Sequence, residues 1–164
     1  MRSTRSDKER IVLRAAVSTD RDVIFEWRND ENTRRYFRDA APVKHETHVA
    51  WFAGILESDD QDLLIAESSG EPAGVLRYDY EKEGAEVSVY MAPDQAGNGL
   101  GSETLRQGTS WVASHRPEIR CITALIHRDN AASVRAFEKA GYISGEQSDE
   151  FVVYERALAD SDRR

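Results

Sequence analysis

The chain has one cysteine, Cys121. A lone cysteine excludes an internal disulfide and a cysteine-ligated zinc site. No apolar run approaches the roughly 20 residues that span a bilayer, so no membrane partner is expected. The opening residues, MRSTRSDKER, lack the apolar segment of a secretory signal, and the expected location is the cytoplasm. Basic charge is also scarce: 22 Lys and Arg against 30 Asp and Glu give a net charge of −8. That balance argues against a general nucleic-acid partner, which would need a basic face. It leaves a phosphate-bearing ligand open, because backbone amides hold phosphate without lysine.

What is present fits one soluble domain. A length of 164 residues buries enough surface to need no staples. Three Trp, six Tyr and five Phe supply core material. Residues 1–10 and 159–164 are polar and read as loose tails, which leaves a single domain over residues 11–158. Within it there is no repeat, linker or low-complexity block.

Residues 11–16 (IVLRAA) read as a first strand. Ser18 or Thr19 is placed to cap a helix carrying Val23, Ile24 and Trp27, which ends at Asn29-Asp30. Pro42 opens a second helical stretch with His48, Trp51, Phe52 and Ile55. Residues 63–66 and 73–78 flank a Ser69-Gly70-Glu71-Pro72 turn as a hairpin. Residues 85–91 alternate cleanly: Val87, Val89 and Met91 point one way, and Glu86, Ser88 and Tyr90 the other. Then follow a glycine-rich loop, a helix from Leu100 to Pro117, a strand over 119–126, a helix from Asn130 to Gly141, and a strand over 151–154. The order β, α, α, β, β, β, α, β, α, β is that of a mixed sheet with helices packed on it, an α+β class.

The loop, Pro93-Asp94-Gln95-Ala96-Gly97-Asn98-Gly99-Leu100-Gly101-Ser102, joins a strand to a helix. Three alternating glycines let the backbone approach a ligand closely. Amides of residues 97–102 would converge at a helix N-terminus, where free N–H groups and the helix dipole suit a pyrophosphate. A plain strand-to-helix turn is the structural alternative. The loop lacks the Gly-Lys-Ser/Thr ending of a Walker loop, and it follows the fourth strand rather than the first, unlike a dinucleotide fingerprint. One strand later, Asn130 and Ser133 lead to Phe137, Gly141 and Tyr142; alone, they read equally as a helix cap and its first turn.

Together the two segments resemble the GNAT superfamily of N-acetyltransferases. The loop is similar to that family's Gln/Arg-x-x-Gly-x-Gly/Ala pattern, with Gly99 and Gly101 at the small positions. The later segment resembles its Asn-x-x-Ser-x-x-x-Tyr-x-x-x-Gly-Phe pattern. Trp27-Arg28-Asn29-Asp30 and His48-x-x-Trp51-Phe52 look like the branch that acetylates ribosomal-protein N-termini and amino-sugar nucleotides of the pseudaminic acid pathway. The chain departs from the pattern at Ala96, where Gln or Arg is usual, and at Phe137, where the usual Tyr protonates the leaving thiolate.

The resemblance implies a mostly antiparallel sheet of about seven strands, splayed between the fourth and fifth, with about four helices. It implies acetyl transfer from acetyl-CoA to a primary amine of a small molecule or a protein N-terminus, by direct attack in a ternary complex. Main chain at Val89, Tyr90 and Met91 would pair with the pantetheine arm, with the amide near Met91 as the oxyanion donor. Gly97, Asn98, Gly99, Leu100, Gly101 and Ser102 would hold the pyrophosphate, and Asn130, Ser133 and Phe137 would contact the rest of the cofactor. Glu86 is the expected proton acceptor, with Ser88 and Tyr90 as hydroxyl donors beside it. Trp27, Arg28, Asn29, His48 and Trp51 are expected at the acceptor; Arg34-Arg35 could meet phosphates of a nucleotide-linked amine, although a solvated charge pair on a loop is the favoured reading. His45 and His48 beside Glu46 lack further ligands, so no metal is expected. Open sheet edges make a homodimer plausible. Phe137 and Ala96 keep a second reading in play, a non-catalytic acyl-CoA-binding regulatory module.

Overall fold

A computed structural model describes residues 11–95 and 97–163. The expectation for residues 1–10 lies outside these, as does the structure of Ala96. The chain builds β1 (Ile11–Ala15), α1 (Arg21–Asn29), α2 (Glu31–Arg34), α3 (His45–Leu56), β2 (Gln61–Ser68), β3 (Glu71–Glu81), β4 (Gly84–Met91), α4 (Leu100–His115), β5 (Cys121–His127), α5 (Ala131–Lys139), β6 (Ile143–Gln147) and β7 (Phe151–Ala157). The seven strands form one sheet in the order β1-β2-β3-β4-β5-β7-β6. Every neighbouring pair is antiparallel except β4 and β5.

Period-two alternation sends the two sides of each strand to different helix layers. Leu64, Leu76, Tyr78 and Val87 pack with Leu105 and Val112 of α4 and Phe137 of α5. Leu63, Ile65 and Val75 pack on the opposite face with Ile24 of α1 and Phe52 and Ile55 of α3. A third cluster joins Ile11 and Ala66 to Leu100, with Met91 against it. It ties the start of α4 to the end of β4.

Several local expectations change. The described residues contain five α-helices rather than about four. The additional one, α2, is a single turn whose Asn32 N–H is capped by the Asp30 side chain. Neither Ser18 nor Thr19 caps α1; they lie in a 3-10 turn that precedes it. Asp20 closes that turn, accepting from the Val17 N–H at 2.8 Å and from both ends of the Arg14 fork at 2.7 and 2.9 Å. Residues 160–163, expected to be loose, form a further 3-10 turn. Arg156 holds Asp162 at 2.8 Å, and Arg163 donates to the Ala113 and Ile119 carbonyls.

Candidate active site

β4 pairs with β3 along its whole length but with β5 only at Gly84↔Cys121, Ala85↔Ile122 and Glu86↔Thr123. Beyond Glu86 the two strands part, so the expected splay lies between them. Register fixes what lines the gap. The Ala92 N–H donates to the Ala73 carbonyl at 2.7 Å, one step past the Gly74↔Met91 pair. Antiparallel alternation then turns the main-chain groups of even-numbered β4 residues toward β3 and those of odd-numbered residues away from it. The Arg120 N–H on the Glu83 carbonyl at 2.7 Å, on the β5 side, agrees. The N–H and C=O groups of Val87, Val89 and Met91 therefore face the gap. Gly74 makes room for the end of this strand, since a Cβ there would meet Met91 Sδ and Cε at 2.8 Å.

At the mouth of the gap lies the glycine loop. Gly97 (φ +84°) and Gly99 (φ +76°) take left-handed conformations that favour glycine, and a Cβ on either would meet nothing within 4 Å. Gly99 is the N-cap of α4, and no side chain caps the helix. Ser102 instead turns its hydroxyl back to the Gly99 carbonyl at 3.2 Å. The first amides of α4 are thus left as donors, at the positive end of a 16-residue helix. At Gly101 a Cβ would stand 3.4 Å from Ala136 Cβ, an ordinary contact distance where α4 meets α5. Open space before two left-handed glycines, uncapped amides and a strand edge leading away form a cradle that a diphosphate with an extended arm fits.

Asn130, Ser133 and Phe137, the remaining cofactor residues named from sequence, each have partners within the fold. Asn130 caps α5, its Oδ1 accepting from the Ser133 N–H at 3.2 Å, so both residues serve the helix start. Phe137 is 2% exposed, its ring edge-on to Tyr142 at 4.9 Å and near Tyr154, and its visible contribution is packing.

The other face of β4 carries Glu86, Ser88 and Tyr90. Glu86 is exposed, and its strand neighbours on that face are Asp79 and Thr123. Ser88 Oγ accepts a long contact, 3.4 Å, from Arg77, whose Nε binds Asp79 at 3.1 Å. Tyr90 packs against Phe37 with ring centroids 6.0 Å apart. Burial holds its hydroxyl above the usual phenol range, against the pull of Arg28 and Arg77. It is a proton donor at neutral pH.

The five acceptor residues named from sequence have different surroundings. His48 is 2% exposed, with Nε2 donating to the Arg21 carbonyl at 2.8 Å, and burial pushes its pKa down. It belongs to the core rather than to a substrate surface. Trp27 and Trp51 pack against the cluster beneath α1 and α3. Asn29 pins the loop between α1 and α3, exchanging two 2.8 Å bonds with the Val43 main chain. Arg34 spends its guanidinium on the Asn29 and Ala40 carbonyls, and Arg35 covers Tyr36. Arg28 lays its guanidinium over Phe37, whose ring also packs against Tyr90. Arg77, Phe37 and Thr123 were missed. Period-two spacing pointed to Arg77 and Thr123, whereas Phe37 sits in a loop without periodicity. Cys121 is half-buried. No group of His, Cys, Asp and Glu among the described residues is arranged to hold a metal, and no described helix is long and apolar enough to cross a membrane.

Comparison with known proteins supplies the family. The sequence profile described as "Acetyltransferase (GNAT) domain" matches residues 10–143. No curated protein matches by sequence. Among solved structures, the chain is similar to a spermidine N-acetyltransferase from Vibrio cholerae in complex with CoA and spermine. The identity is 15%, over 93% of this chain and 97% of that one, with a TM-score of 0.77. It is also similar to RimL, a ribosomal L7/L12 alpha-N-protein acetyltransferase in complex with coenzyme A (17% identity, 91% and 94% of the chains, TM-score 0.77). The aminoglycoside acetyltransferase AAC(6')-Ib with coenzyme A and kanamycin gives 19% identity, 93% and 96% coverage and a TM-score of 0.76. These structures agree with the fold, and the profile match covers most of the chain. The chain belongs to the GNAT acetyltransferase family and is an acyltransferase that uses acetyl-CoA.

Proposed function

We propose that the protein acetylates a primary amine held on the Glu86–Ser88–Tyr90 face of β4, in a ternary complex with acetyl-CoA. The observation that carries this reading is the parting of β4 from β5 after Glu86. It leaves main-chain donors of Val87, Val89 and Met91 beside an exposed carboxylate on the same strand. The thioester supplies the acyl carbon and a thiol leaving group whose ordinary pKa of about 8.5 makes departure feasible near neutrality.

The chain's residues divide the rest of the work. Amides of residues 97–102 at the start of α4 hold the diphosphate. Gap-facing amides of β4 pair with the arm and donate to the carbonyl oxygen as it gains charge, with the Met91 amide nearest the loop. Glu86 accepts the proton that the attacking ammonium must lose, directly or through a water. Tyr90 and Ser88 offer hydroxyls on the acceptor side. Phe137 cannot donate a proton, so protonation of the thiolate falls to solvent or to one of these hydroxyls.

The acceptor is a small-molecule amine, with amino-sugar nucleotides as one class, or a protein N-terminus. The similar structures include a spermidine, an aminoglycoside and a ribosomal-protein acetyltransferase, so the panel that tests this reading includes all of these chemistries. The experiment follows thiol release from acetyl-CoA with each amine. Amine-dependent release supports the enzyme. Coenzyme A binding without release on any amine favours the regulatory module. A second copy of the chain would add to the open edge at β6, whose five residues are all exposed, and sedimentation reads that directly.

A further inference from the structure

Partly buried arginines in this protein have their guanidinium groups bound by a carboxylate or by main-chain carbonyls, as Arg34 is by Asn29 and Ala40 and Arg163 by Ala113 and Ile119. Arg14 binds Asp20 and Glu67, Arg77 binds Asp79, Arg116 binds Asp62 and Arg156 binds Asp162. Arg28 differs. It leaves the last turn of α1 and lays its guanidinium 4.1 Å over the Phe37 ring. Its Nη1 is shielded from solvent and has no hydrogen-bond partner. Its Nη2 makes only a 3.5 Å contact with the Asp39 main-chain carbonyl, at the limit of a hydrogen bond. Among the described residues no carboxylate is ion-paired with it. A guanidinium fork with an unused arm is geometrically suited to a planar or tetrahedral oxyanion, which it binds through two parallel N–H donors.

Its position gives that fork a purpose. Phe37, which the Arg28 guanidinium covers, also packs against Tyr90 with ring centroids 6.0 Å apart, and the Asp39 carboxylate acts on Arg28 through space without an ion pair. Tyr90 is the last residue of the Glu86–Ser88–Tyr90 row, and its protonated hydroxyl is a further donor. Glu86 is four residues back along the same strand face, about 13 Å at strand rise. One end of the face is therefore acidic and the other cationic. The exposed Glu86 carboxylate is without an ion-pair partner among the described residues, so neither end is neutralised by the other.

We propose that Arg28 anchors an oxyanion on the acceptor, so that the substrate is a dipolar amine with its ammonium toward Glu86 and a carboxylate or phosphate toward Arg28. The anion replaces the weak Asp39 contact and completes the fork. This rests on the amine-acetylation reading above and narrows it. The net charge of −8 does not set the charge of the acceptor, because the charges lining one face outweigh the distant remainder at short range.

Matched amines test it. Glucosamine 6-phosphate is compared with glucosamine, and 6-aminohexanoate with 6-aminohexanamide, as acceptors and as ligands that raise the unfolding temperature in the presence of coenzyme A. The wild type should prefer the anionic member of at least one pair by about tenfold or more in kcat/KM, mainly through KM. The phosphate and carboxylate arms show which anion is read. Arg28→Gln should bring the ratio close to one, and Arg28→Lys should restore part of it, since lysine keeps the charge and loses the fork. An unchanged thermal shift with coenzyme A alone reports that each variant is folded. A wild-type ratio of one or less in both pairs, by turnover where there is turnover and by thermal shift where there is none, overturns the proposal. So does a ratio that survives Arg28→Gln. Failure of every amine to release thiol would instead strike the acetylation reading, and the thermal shifts would still decide for or against Arg28.

Discussion

His48 donates its Nε2 proton to the Arg21 carbonyl while the rings of Phe25, Trp51 and Phe52 surround it. Burial holds its pKa below the ordinary 6.5. The unfolded chain therefore binds more protons than the folded one between pH 6.5 and that lower value. His48's contribution to stability is complete above about pH 6.5 and is lost as the pH falls toward its folded pKa. Urea midpoints measured from pH 8 to pH 5 should decline below 6.5 in the wild type and stay flatter in His48→Gln. Asp20 works in a lower window. Its hydrogen bond from Arg14 depresses its pKa below 3.8, so its contribution is present above 3.8 and is lost only as the pH falls through the lower folded value. The two declines are separable. At the reacting centre the residue to change is Glu86. Glu86→Gln should lower turnover more than tenfold, about 1.4 kcal/mol of barrier, with acetyl-CoA affinity unchanged by calorimetry. Equal turnover would remove Glu86 from the chemistry.

Among the elements, α4 carries two different demands on glycine. At Gly99 the demand is conformational: φ is +76° and nothing stands where a Cβ would go. Gly99→Ala should cost about 1–2 kcal/mol in the left-handed conformation and weaken coenzyme A binding, as the start of the helix relaxes away from the cradle. At Gly108 the demand is space. A Cβ there would land on the Tyr78 hydroxyl, which is buried without a hydrogen-bond partner. Gly108→Ala should destabilise by about 1–3 kcal/mol through overpacking. Tyr78→Phe alone should be neutral or mildly stabilising, since it removes an unpartnered buried hydroxyl. The double variant should recover most of the loss, and thermal melts of all four proteins measure that coupling.

For the molecule as a whole, the parts readable from sequence were those that a regular period or a backbone requirement dictates. The alternation of residues 85–91 placed Glu86, Ser88 and Tyr90 on one face, and the register bears that out. The glycine spacing marked the loop where the helix starts uncapped. β6 left no such mark, because its five residues are all exposed and include Gly145, with no alternation to detect. The acceptor side was harder still. Asn29, His48 and Arg28 look alike in sequence as polar residues near tryptophans. Only three-dimensional partners tell them apart: a loop main chain for Asn29, a helix carbonyl for His48, and an incomplete set for Arg28. Arg34 and Arg35 form a basic pair that suggested phosphate, yet folding commits Arg34 to carbonyls and stacks Arg35 on Tyr36.

These features converge on one arrangement: an uncapped helix start feeding an open strand edge. Amide chemical shifts followed by NMR during titration with coenzyme A probe it residue by residue. The largest changes should fall on Val87, Val89, Met91 and residues 97–102, in a contiguous track from loop to strand. Silence along that track, with changes centred instead on Arg106, Lys139 and Gly141 on the far side of α4, would contradict it.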